Sequence, residues 1–208
     1  MTMSATSRPA QMRAEYSGVP LRAIAQLAKS WNFSEASFGM AALNSYYATP
    51  SVADENGFAL ADAPWPHIFD PFRNAVAGKK VAVIGHFPFA PKALNQAADF
   101  YMLERSLNDG DYPDSAAEYI LPECDYVFIT GSAFVNKTAP RLLELSRESF
   151  NVVLGPSTPL APVLLEDYGV SQVTGMVPTS PLAMFEGLSG TDAGTTMFDW
   201  GHRVELSA

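Results

Sequence analysis

The residues best suited to chemistry gather around one histidine, His86, in the stretch Lys79-Lys80-Val81-Ala82-Val83-Ile84-Gly85-His86-Phe87-Pro88. A histidine just past a strand can serve as ligand, acid or base near neutral pH. A histidine that only hydrogen-bonds a loop carbonyl is the plainer alternative. Two acids are candidates to join it: Glu104, which ends the next expected strand, and Asp111, in the loop Asn108-Asp109-Gly110-Asp111-Tyr112-Pro113. No Lys or Arg occurs between Arg105 and Lys137, whereas Asp109, Asp111, Asp114, Glu118, Glu123 and Asp125 do, with Cys124 among them. Imidazole, thiolate and carboxylate together suit a transition metal. His86 with Glu104 or Asp111 is the metal-ligand set on offer. Against it, carboxylates also serve solvated loops and helix N-termini, and a lone cysteine such as Cys124 is commonly a small core residue. No H-x-x-H, C-x-x-C or H-E-x-x-H pairing exists, which argues against structural zinc.

A second chemistry is anion binding. Four turns follow expected strands: Gly85-His86-Phe87-Pro88, Thr130-Gly131-Ser132 through Asn136-Lys137-Thr138, Gly155-Pro156-Ser157-Thr158, and Gly175 through Thr179-Ser180. In a parallel sheet all four lie on one edge, where open α/β sheets bind ligands. Free helix N–H groups there favour a phosphate or carboxylate. Lys137, beside the Thr138 cap, could add a charge-assisted contact. Each turn taken singly is explained equally well by the capping needs of a βα connection. A dinucleotide fingerprint is absent, since His86, Phe87 and Pro88 follow Gly85 and the Phe87 ring would obstruct a pyrophosphate. Glu104 sits where a ribose-binding acid would, which alone is weak support for NAD. No P-loop occurs, and Gly155-Pro156-Ser157-Thr158-Pro159 is not a nucleophile elbow, so Ser157 is a poor nucleophile.

These residues need a sheet to hold them. The run 81–84 is apolar on both faces, as a buried parallel strand is. Further strands are expected at 100–103, 126–130, 152–154 and 172–174, with short helices between them. Ser115 and Glu118 fit a capping box, Thr138 with Pro140 opens a helix to about Arg147, and Thr158-Pro159 opens the next. Alternation of strands and helices predicts an α/β fold with a mainly parallel sheet and helices on both faces. The closing Phe198–Leu206 stretch is expected as an edge strand. Before this domain, a helix over 20–31 and a second from Ser34 to Tyr47 form a small N-terminal unit, and its small residues predict close packing on a neighbour. The Pro- and aromatic-rich stretch 49–74 reads as the connection, with Trp65–Phe69 expected to pack on a partner domain or second subunit and His67 as a packed or surface residue. The expected division is 1–74 and 75–208.

Composition limits the rest. The 208 residues hold 13 basic and 22 acidic side chains, a formal charge of −9, which argues against nucleic acid and anionic membranes as partners. One cysteine forbids an intrachain disulfide. No apolar run reaches the roughly 18 residues of a spanning helix, and the polar start lacks the core of a signal peptide. A cytoplasmic protein is expected.

Several ordered stretches resemble a heavy-metal chelation family of bacteria and archaea: Ser37–Asn44, Val83–Pro88, Gly110–Asp114, Leu121–Tyr126, Ile129–Gly131, Asn136–Thr138 and Gly155–Leu160. The resemblance runs from about Gly18 through most of the chain. It implies a Rossmann-like domain joined to a smaller one resembling the enolase N-terminal domain, with the site between them. The site residues it implies are Asn44 from the small domain and Gly85, His86, Phe87, Glu104, Asp111, Thr130, Gly131, Asn136, Lys137, Thr138, Gly155, Ser157 and Thr158 from the large one. Family members carry a strand-containing segment before the first helix, where this chain has a short polar lead-in. The small domain is therefore expected to be incomplete, completed by another chain, or reduced to helices. Three functions follow: a binding or chelation protein for a metal ion or metal complex, an enzyme acting on a phosphate- or carboxylate-bearing molecule in the same cleft, or an accessory protein, with a homo-oligomer compatible with each.

Overall fold

The computed structural model describes residues 8, 16–65, 67–189 and 197–208. Most of the polar lead-in expected over 1–17, and Pro66, lie outside the described residues. The sheet has eight strands: β1 (Ala59–Leu60), β2 (Lys80–Ile84), β3 (Asp99–Glu104), β4 (Tyr112–Pro113), β5 (Tyr126–Thr130), β6 (Phe150–Leu154), β7 (Gln172–Pro178) and β8 (Gly201–Ser207). Their spatial order is β1-β8-β7-β6-β5-β2-β3-β4. The pairs from β7 through to β4 are parallel, while β8 runs antiparallel to both β7 and β1. The mainly parallel α/β fold expected from the sequence is therefore present.

The pleat explains why the central strands are apolar throughout. Val81 and Val83 point to one face, where they join Met102, Phe128, Val152 and Leu154 in one core cluster. Ala82 points to the other, with Leu103, Val127, Ile129, Val153 and Val173. Both faces are covered, as parallel sheets require. Helices α5 (Ala117–Ile120), α7 (Ala139–Leu145) and α8 (Val163–Glu166) contribute Ala117, Leu142, Leu143 and Leu164 to the second cluster. Helix α4 (Ala90–Ala93) and the 68–76 segment cover the first.

The 49–74 stretch is more than a connection. It holds α3 (Pro50–Glu55), strand β1 and a 3-10 turn at Asp70–Phe72. Ile68 and Phe69 are 2 % and 0 % exposed and sit in the core under the sheet. Phe69 makes ring contacts with Phe87, Phe89 and Phe128 at centroid distances of 5.5, 5.7 and 5.2 Å. Of the two expected surfaces, a partner domain or a second subunit, the segment packs on the first, the sheet of the same chain. His67 is on the surface, with Nδ1 2.8 Å from Asp70.

Other boundaries shift for local reasons. The first helix splits into α1 (Leu21–Ala25) and a 3-10 turn, Gln26–Lys29. Helix α2 (Phe33–Tyr47) starts one residue before the expected Ser34 because Asn32 caps it: the Asn32 side chain accepts from the N–H groups of Ser34 and Glu35 at 3.1 and 3.2 Å. The capping box at Ser115 does not form; Glu118 instead pairs with Arg141. Thr158-Pro159 stays outside the following helix α8, which starts at Val163. β7 continues through Gly175 to Pro178 because β8 pairs along its whole length. β8 is accordingly internal, and two-residue β1 forms that edge. Among the described residues no helix is long and apolar enough to cross a membrane.

Candidate functional site

The chain runs from β2 outward to β3 and β4, then returns to the other side of β2 with β5 and β6. That reversal leaves a crevice at the C-terminal ends of β2 and β5, the usual ligand position in such sheets. β2 ends at Ile84, and Gly85 turns the chain with φ +105°, a conformation L side chains rarely adopt. The turn puts His86 at the crevice. Its backbone N–H donates to Glu104 Oε2 at 2.9 Å, across from the end of β3. Glu104 Oε1 accepts from the N–H groups of Arg105 and Ser106 at 2.7 and 3.4 Å. Glu104 therefore organises two loop starts with its carboxylate.

The His86 ring is held from the opposite direction. Nδ1 lies 3.0 and 3.1 Å from the two carboxylate oxygens of Asp111. Asp111 also accepts from the Asn108 backbone N–H at 2.9 Å and from its side-chain amide at 3.2 Å. The Asp111 side chain is fully covered, while that of His86 is 31 % exposed. Burial by itself pushes the Asp111 carboxyl up, but the hydrogen bonds from Asn108 and His86 outweigh it and hold its pKa below the ordinary value. An ionised carboxylate can only accept, so Nδ1 carries the proton, and a ring with one proton then has its lone pair on Nε2.

The loops after β5 and β6 form the far wall. A Cβ on Gly131 would sit 2.5 Å from the Thr158 nitrogen, so only glycine lets these two backbones touch. Helix α2 forms the roof, tied down by Asn44, whose Nδ2 donates to the Ser157 carbonyl at 2.8 Å. Between roof and sheet edge lies a cleft of about 820 Å³. Of the residues expected from the sequence, Asn44, Gly85, His86, Phe87, Glu104, Thr130, Gly155 and Ser157 line it. Asn136 and Thr138 line a side chamber of about 280 Å³ that shares Gly85, Glu104, Thr130 and Ser132 with the cleft. Asn136 caps locally there, accepting from the Thr138 N–H and hydroxyl at 3.1 and 2.6 Å. Gly131, Thr158 and Asp111 stand behind the walls.

Lys137 differs from expectation. Its backbone has φ +68°, and its ammonium donates to the Ala28 carbonyl of the helical unit. Burial lowers its pKa. It links the small unit to the sheet and leaves no lysine for an anion; neither Lys nor Arg lines the cleft. The sequence reading also left out the roof face of α2, including Ser37, Met40, Ala41 and Ser45, and the distant Met176 and Met184. The small residues on α2 and the family-like stretch Ser37–Asn44 were the available signals for the roof.

A family model described as "Putative heavy-metal chelation" (DUF364) matches residues 67–204, and a second with the same description (DUF4213) matches 1–47. The chain belongs to the DUF364 family. A solved protein of unknown function from the same DUF364 family, from Desulfitobacterium hafniense, is 44% identical, with 92% of this chain and 75% of that one covered and a TM-score of 0.81. A second, from Pyrococcus horikoshii, is 23% identical, covers 98% and 80%, and shares the fold with a TM-score of 0.76. An uncharacterized protein of Methanocaldococcus jannaschii is 27% identical over 153 residues. The aligned part is 71% of this chain and 56% of that relative.

The donor set does not fit a bare heavy-metal ion. Among the described residues no group of three or more His, Cys, Asp or Glu side chains could hold one. The set expected from the sequence comes together only in part: His86 and Asp111 pair, but Asp111 and Glu104 spend their oxygens on the bonds given above. Cys124 precedes β5, at the sheet end opposite the cleft, with Sγ 3.3 Å from the Ile120 carbonyl. Burial pushes its thiol up to about 11, which keeps it protonated and a weak ligand.

Proposed function

We propose that this chain is a binding protein that holds a metal complex in the cleft at the C-terminal ends of β2, β5 and β6, with His86 as its donor to the metal. The pairing of His86 Nδ1 with the covered Asp111 carboxylate carries this reading. A carboxylate behind a histidine fixes the tautomer and raises the basicity of the other nitrogen, as in metal sites generally. His86 lines the cleft and Asp111 does not, so the ring turns its other edge toward the ligand. The family's description supports a metal cargo. The net charge of −9 supports action away from nucleic acid.

The test is elemental analysis of untagged protein purified without chelators, beside His86→Ala. Near-stoichiometric metal in the wild type and none in the variant is the expected result. No metal in either would overturn the reading. The same His–Asp pair, with the Ser132 and Ser157 residues lining the cleft, is also the arrangement of a general base. That makes a small-molecule enzyme the second reading. Its substrate would not be strongly anionic, because no Lys or Arg lines the cleft and the two arginines of the side chamber, Arg105 and Arg141, are paired with Asp114 and with Glu118 and Glu144.

A further inference from the structure

Resting on the metal-complex reading, we infer the chemical class of the cargo: a neutral or cationic metal complex of a largely apolar nitrogen-donor chelator with a coordination position open for His86. Three observations lead there. First, among the described residues the cleft offers one imidazole donor, His86, and its neighbouring acids are engaged, so the remaining positions of the metal must be filled by something that enters with it. Second, the cleft of about 820 Å³ far exceeds an ion, and Met40, Ala41, Phe87, Val135, Met176 and Met184 make much of its wall apolar. Such a wall desolvates hydrocarbon rings, and methionines adapt to an irregular outline. Third, among the described residues the one carboxylate side chain on the cleft wall is that of Glu104, with Asp111 directly behind His86. Two carboxylates and no lysine or arginine complement a divalent charge and oppose carboxylate-rich chelates, whose complexes are anionic.

The probes are zinc–terpyridine, flat, apolar and dipositive with coordination sites free, and zinc–nitrilotriacetate, polar and anionic. Bare Zn(II) and Ag(I) complete the set, the latter because thioethers favour soft ions. Binding is read by calorimetry and, for terpyridine, by its ultraviolet absorption. The expected result is one zinc–terpyridine per chain, at least about tenfold (~1.4 kcal/mol) tighter than zinc–nitrilotriacetate and the bare ions. His86→Ala should abolish this binding, and Ala41→Trp, at an exposed roof position, should weaken it by narrowing the cleft. If zinc–nitrilotriacetate or a bare ion binds as tightly, with the same loss in His86→Ala, the cargo class is overturned while the metal-binding function stands. If no probe binds in a His86-dependent way, both fail.

Discussion

Replacing Asp111 with asparagine removes one charge and almost no volume, which makes it a clean probe of His86. The native carboxylate takes two contacts from His86 Nδ1 at 3.0 and 3.1 Å and two from Asn108 at 2.9 and 3.2 Å. In Asp111→Asn, the amide oxygen can still accept from the Asn108 N–H. The amide nitrogen then confronts Nδ1–H, two donors facing each other. The ring relieves this by moving its proton to Nε2, which removes the lone pair from the cleft side. A hydrogen bond to a charged group contributes about 1.5–3 kcal/mol, and His86 and Asp111 are covered enough to keep most of it. At 2–4 °C per kcal/mol for a chain of this size, Tm should fall by about 3–12 °C. Metal-complex affinity should fall by about ten- to a hundredfold. The direct assay is long-range proton–nitrogen correlation NMR of the imidazole rings, with His86→Ala to assign the signal. Wild type should show Nδ1–H and the variant Nε2–H. The pH dependence has a definite sign. The Asp111 carboxyl has a folded pKa below its ordinary value. Its stabilisation is therefore complete above the unfolded value of about 3.9 and lost as pH falls through the folded one. The Tm gap between wild type and variant should close as pH falls below about 3.9. A wild-type ring protonated on Nε2, or a variant with unchanged tautomer and Tm, would refute the reasoning.

Two further outcomes follow from the packing. Phe69→Ala should cost about 3–5 kcal/mol in urea unfolding, because it empties the centre of a four-ring cluster; a loss under about 1 kcal/mol with a change in sedimentation would restore the interface role of the segment. The buried Cys124 thiol, with its pKa pushed up to about 11, should resist an aromatic disulfide reagent at neutral pH until urea unfolds the protein. Modification of the native protein at the rate of a free thiol would contradict that burial.

The sequence by itself determined the sheet and the edge of it at which the cleft opens. Val81–Ile84, Tyr126–Thr130 and Val152–Leu154 are apolar on both faces, and a short run of that kind is stable only inside a covered parallel sheet. Their closing Gly85, Gly131 and Gly155 marked the edge where the cleft opens. Local signals of this kind act over a few residues, so they survive being read in one dimension. The tertiary structure decided which side chains meet there. Asp111 reaches His86 from 25 residues away, and Asn44 reaches Ser157 from 113. Lys137 is drawn off to Ala28, 109 residues earlier, and Phe69 turns inward to Phe128. None of these pairings leaves a periodicity or spacing in the chain, because each depends on where two distant loops are carried by the sheet between them. The donor set looked like a metal centre in sequence and became a single histidine in space for that physical reason: the folded loops claimed the carboxylates for their own N–H groups.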